Sequence, residues 1–137
     1  MPGSSETSDP FQQRAVADAI VQRAADGLRE LLVALARRSD PFPPFPGALF
    51  AYGIEVEPPA ASDLGCVILG DDGALYELQL GLDADQIAAG GDAVAARYEQ
   101  LVKLDLPPAD YIAYAHRAVD AATDYLERQP PHAASAG

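Results

Sequence analysis

The spacing of apolar residues changes period along this chain, and each change marks a new element. Val16, Ile20, Ala24, Leu28, Leu31, Leu32 and Leu35 recur at every third or fourth position, the stripe of one amphipathic helix. Ser8 or Asp9 can cap it, and Pro10 suits a first turn where a missing N–H costs nothing. The helix should run to about Arg38, with Arg37 and Arg38 at its negative end. Gly27 weakens its middle by roughly 1 kcal/mol relative to Ala.

The segment DPFPPFPG, Asp40 to Gly47, cannot continue that helix. Its prolines at 41, 43, 44 and 46 predict extended, polyproline-like chain. Phe42 and Phe45 lie within it. As a connector, its two rings would plug the edge of the core; as a ligand, it would dock in an aromatic groove of the SH3 or WW kind. Short Pro–Phe connectors are ordinary, so the first reading is preferred and both rings are kept as interface candidates.

Beyond Gly47 the period drops to two. Phe50, Tyr52, Ile54 and Val56 share one face, with Glu55 and Glu57 on the other, which predicts a half-buried strand ended by Pro58 and Pro59. Leu64 to Leu69 and Leu75 to Leu82 read as two more strands. Between them, Asp72–Gly73 is a hairpin signal, and two turns compete. A two-residue turn pairs Leu69 with Tyr76, whereas a three-residue loop, Asp71-Asp72-Gly73 with Gly73 as the bulge residue, pairs Ile68 with Tyr76. The second is preferred because the bulge position favours glycine, and it places Cys66 and Ile68 on the face of Tyr76 and Leu78.

Gly90–Gly91 breaks the chain. Asp92 is then expected to cap a helix whose inward stripe is Val94, Tyr98, Leu101 and Val102, and Pro107–Pro108 to open a last helix, Ala109 to about Arg128. The expected order is α-β-β-β-α-α. This is an α+β fold: an N-terminal helix, a three-stranded antiparallel meander, and two C-terminal helices packed on one face. A single domain, 10–128, would lie between loose tails at 1–9 and 129–137.

Charge alters the functional picture more than the fold. Twenty-one acids oppose nine bases, a net charge of −12. From Ser39 to Ala96 there is no basic residue, and the segment carries a charge of −10. Phosphate backbones and anionic membrane surfaces are repelled by such a segment, so neither nucleic acid nor membrane is an expected partner. No apolar run approaches the roughly 20 residues of a membrane span. The opening residues lack a basic start and an apolar core of the signal-peptide kind, so cytoplasmic residence is expected. Cys66 is the single cysteine. Apolar neighbours and the lack of an adjacent base make it a poor nucleophile.

Candidate chemistry is sparse. Asp71 and Asp72 offer a cation two diverging carboxylates, where calcium takes about six to eight oxygens, so they read as turn residues. Asp83 and Asp85 open an incomplete EF-hand pattern and suit a helix cap better. No glycine-rich phosphate loop occurs, and no metal or cofactor is expected. The sharpest cluster is His116, Asp120 and Asp124, stacked four residues apart on the last helix. His116 with Asp120 could act as an oriented base, but His132 lies in the tail and a three-ligand zinc site is hard to assemble. On the same helix Tyr111, Tyr114 and Tyr125, with Ala118 and Ala122, form a second apolar face, either sandwiched in the fold or shared in a homodimer.

The resulting expectation is a small acidic protein-interaction module, non-catalytic, with a basic protein partner and a homodimer among its modes: a chaperone, immunity or regulatory factor. The alternative is a small enzyme or ligand-binding domain with a pocket between sheet and helices. There Tyr52, Tyr76 and Tyr98 would line the pocket, and His116 and Asp120 would do the chemistry.

Overall fold

The computed structural model describes residues 9–45, 51–59, 64–92 and 97–129. The first helix, α1, spans Pro10–Arg38. The Asp9 carboxylate accepts the Phe11 amide at 3.0 Å, and the other expected cap, Ser8, lies outside the described residues. At the far end, the buried Ser39 donates its hydroxyl to the Leu35 carbonyl at 2.8 Å, and Arg37 and Arg38 fill the last turn. The apolar stripe is only half used. Ala25, Leu32 and Ala36 are buried, whereas Val16, Ile20 and Leu31 are exposed, so the first turns of α1 project past the core.

The sheet corrects the expected three-stranded meander. Four antiparallel strands run in the order β1 (Ile54–Val56), β2 (Cys66–Leu69), β3 (Leu75–Leu82) and β4 (Arg97–Lys103). Residues 97–103, expected in a helix with Tyr98, Leu101 and Val102 facing inward, are strand β4; Val94 of that stripe lies outside the described residues. The reason is length. β2 pairs with only Leu75 to Leu78 of β3, and the rest of β3 requires another partner for its backbone. β4 supplies it from Tyr76↔Lys103 to Leu82↔Arg97, and the Leu104 amide extends the ladder by donating to Leu75 O at 2.9 Å. Local helix formers such as Glu99, Gln100 and Leu101 yield to that demand.

Between β2 and β3 the three-residue loop is present. Ile68 pairs with Tyr76, the Gly73 amide donates to Gly70 O at 3.0 Å, and Gly73 has φ +82. Gly73 is required for a second reason: the tip lies against α1, where a Cβ would stand 2.7 Å from the Val33 Cα. After β3, Asp83 caps the five-residue α2 (Ala84–Ala88), accepting the Asp85 and Gln86 amides at 3.0 and 3.2 Å. The last helix, α3, spans Pro108–Arg128. The C-terminal part therefore holds one long helix rather than two, and α3 packs against α1.

The register divides the core in two. Ile54, Val56, Val67, Leu69 and Leu75 face α1 and α3 in the main core. On the opposite face Ile68 and Leu78 form a smaller cluster with Phe45 and Ala51, flanked by Cys66 and Tyr76. The proline-rich connector serves both. Phe42 enters the main core and Phe45 covers the opposite face, each only 8% exposed. Backbone bonds from Phe45 N to Ala51 O (2.9 Å) and from Gly53 N to Pro43 O (3.0 Å) lock it to the segment leading into β1. Tyr52 bridges to Pro44 and is exposed, so it is not part of the buried face of β1; Phe50 lies outside the described residues.

Candidate functional site

The His116 cluster does not converge on a cavity. His116 Nδ1 stands 3.9 Å from the Asp120 carboxylate, and both side chains are largely in solvent. An open groove of about 710 Å³ runs between the connector, β1 and α3; Asp120 and Asp124 line it, and His116 does not. Glu55, Glu57, Arg117 and Arg128 complete its charged walls, with Arg117 reaching Glu57 at 3.7 Å. Such a groove is a solvated ion-pair surface, where charges are screened and an imidazole gains little orientation. Among the described residues no group of three or more His, Cys, Asp or Glu is placed to hold a metal ion, and no helix is long and apolar enough to cross a membrane.

The tyrosine face of α3 turns inward. Tyr111 and Tyr114 are at most 9% exposed, and with Ala115, Ala118 and Ala122 they form the seam against α1. Small residues bring the two helices close, and the rings fill the space at either side. The Arg29 guanidinium lies 4.3 Å from the Tyr111 ring centroid. Burial pushes the Tyr111 hydroxyl up, against the opposing pull of Arg29. Tyr125 is half-buried, its hydroxyl 3.5 Å from Pro41 O, where it ties α3 to the connector. This face is thus sandwiched within the chain, and Phe42 and Phe45 are likewise occupied by the core.

At the hairpin the two aspartates separate in role. Asp71 is an exposed turn residue, whereas Asp72 accepts the Ala74 amide at 2.9 Å and the Tyr76 hydroxyl. The hydrogen bond to Asp72, together with partial burial and the charges of Asp72 and Asp71, pushes Tyr76 up to about 12. Desolvation alone would raise Asp72, but the bonds from Tyr76, Ala74 and its own amide, with the charge of Lys103, outweigh it and hold the carboxyl below its usual range. Cys66 is half-buried, and burial together with the charge of Glu55 pushes its thiol up, away from the reactive thiolate.

The structure exposes what the sequence reading missed. Beyond Leu78 the β3–β4 hairpin leaves the helices and carries Leu80 (54% exposed), Leu82 (53%) and Leu101 (40%) on the face opposite them. Tyr98, on the helix-side face of the same hairpin, lies across Gly81 and is half exposed. One signal was available: the alternation Val102, Leu104, Leu106 with the charged Lys103 and Asp105 between. Acidic Asp83 and Asp85 flank this apolar tract at one end, and Asp71 and Asp72 occupy the other end of β3. No family model, no curated protein and no solved structure matches this chain.

Proposed function

We propose that this chain is a protein-interaction module that works by binding rather than catalysis, taking a basic protein partner on the outer face of the β3–β4 hairpin. One observation carries this reading: Leu80, Leu82 and Leu101 form a solvent-facing aliphatic tract on the sheet, with aspartates at both ends of β3. Contiguous exposed apolar area costs solubility and is a mark of a contact surface. Arg97 and Lys103 share this face with Glu99, but Asp83 and Asp85 beside the tract and a chain charge of −12 tip the balance and steer a basic partner. Chaperone, immunity and regulatory roles all use a surface of this kind.

The test compares the wild-type chain with a Leu80→Asp/Leu82→Asp variant as baits in a native-host lysate. A protein captured by the first and lost by the second is then purified and titrated. The reading expects that protein to be basic, with affinity falling steeply as salt rises. Capture that is indifferent to both substitutions, or binding indifferent to salt, overturns it.

A further inference from the structure

We infer that the outer side of α1 is a self-complementary helix seam, through which two copies of this chain pair antiparallel with their two-fold axis between Ala24 and Gly27. The seam lies on the first helix, not on the β3–β4 hairpin, and stands independently of the partner proposed above.

A helix that buries one stripe in its own core ordinarily turns polar residues to water on the other side. α1 does not. Ala17, Ile20, Ala24, Gly27, Leu31 and Ala34 follow one another at alternating steps of three and four, the heptad spacing of paired helices, and all six are exposed. At about 100° per residue this line stands opposite Ala25, Leu32 and Ala36, the residues that α1 gives to the main core. Ile20 is 63% exposed, Val16 one turn before it 60%, and Leu31 42%. A Cβ built on Gly27 meets nothing within 4 Å, so the middle of the line is open. Small residues there let a second helix approach closely, while Ile20 and Leu31 close over it on either side.

Charge selects how the second copy lies. Arg23 and Glu30 flank the line on one side, and among the described residues neither makes an ion pair. With the axis between Ala24 and Gly27, Ala24 meets Gly27 of the second copy, Ile20 meets Leu31, and Arg23 faces Glu30, each twice by symmetry. Sliding the pair by one heptad toward the N-terminus sets Arg23 against Arg23 and brings the polar Gln13 opposite Leu31. Sliding it one heptad the other way sets Glu30 against Glu30 and Arg23 against Arg37. A parallel pair in step places Leu28, not Glu30, across from Arg23. One arrangement of the four therefore joins opposite charges, and the same one matches the apolar residues throughout.

The experiment is sedimentation velocity over a concentration series, with circular dichroism to confirm folding. The wild-type chain should pass from its 14.4 kDa mass to twice that mass as concentration rises. Arg23→Glu sets glutamates together at two places in the seam, and Glu30→Arg sets arginines together, so each variant alone should dimerise about tenfold more weakly. Mixing the two variants restores opposite charges and should return the wild-type affinity, as should the double variant Arg23→Glu/Glu30→Arg. Ile20→Lys, which drives an ammonium group into each end of the apolar line, should be monomeric throughout. At a dilution where both are monomeric, Ile20→Lys and Glu30→Arg should melt together. A lower melting temperature for Ile20→Lys shows that this face is covered within the chain, and overturns the inference. A wild-type chain that stays at 14.4 kDa at its solubility limit does so too. A dimer indifferent to the single charge reversals, or a variant mixture no tighter than its components, overturns the register and the inference with it.

Discussion

The two halves of β3 have similar sequences and different fates. Leu75 and Leu78 are buried, one under the helices and one under Phe45, whereas Leu80 and Leu82 on the same strand are more than half exposed. Residue type does not separate them, because all four are leucines, and Leu78, Leu80 and Leu82 even share one face. What separates them is coverage. The inner half has β2 on one side, helices on one face and the connector on the other; the outer half has β4 alone. A leucine contributes to stability in proportion to the area other residues remove from water, so the first pair holds the fold and the second is available for contact.

The largest effects should fall on the inner half. Leu69→Ala, at 0% exposure between sheet and helices, should cost about 2–5 kcal/mol in denaturant unfolding, while Leu82→Ala should stay within about 0.5 kcal/mol. Equal losses at the two sites would erase the contrast. Close behind comes Gly73→Ala. It strains a positive-φ position and drives a methyl into the α1 backbone at Val33, for a loss of about 2–4 kcal/mol seen as a lowered melting temperature. In the outer half, Gly81→Ala meets the movable Tyr98 ring, so the loss should be no more than about 1 kcal/mol, and Tyr98 should become more exposed.

Proton equilibria sharpen the comparison further. Tyr76 is raised to about 12 by its bond to Asp72, so its neutral form is favoured by folding. That contribution is fully present below the ordinary tyrosine range and is lost as pH climbs toward about 12. Asp72 is lowered, so its share is present at neutral pH and is lost in acid, as pH falls through its folded value. Ultraviolet titration of the folded chain should show a late tyrosine step, which Tyr76→Phe reduces by one group while Tyr111 stays raised; a late step unchanged in Tyr76→Phe would break the assignment. The smallest effect concerns Cys66. Alkylation near neutral pH should be slower than for a free thiol, and Glu55→Gln should speed it slightly by removing a charge that disfavours the thiolate.

Elements whose local signals agree were legible in advance. The caps at Asp9 and Asp83, the Gly73 bulge, the limits of α1 and β3, and the connector rings are readable because turn chemistry, proline and periodicity act over a few neighbouring residues. Residues 97–103 were not legible, since Tyr98, Leu101 and Val102 fit a helical spacing while Tyr98, Val102, Leu104 and Leu106 fit a strand. Among the candidate sites, the stacking of His116 over Asp120 was correct geometry on a helix, but no local pattern says which side of that helix meets a groove.

The sequence by itself determined the helices at either end, the first three strands, the hairpin register and the acidity, all of which depend on residues near one another in the chain. Tertiary structure alone decided that residues 97–103 extend the sheet, that the tyrosine face of α3 is consumed against α1, and that the outer leucines of β3 remain in water. Those outcomes depend on which distant element satisfies a backbone edge or covers a face. Hydrogen-bond demand and buried area are properties of the whole assembled chain, and no short window of residues encodes them.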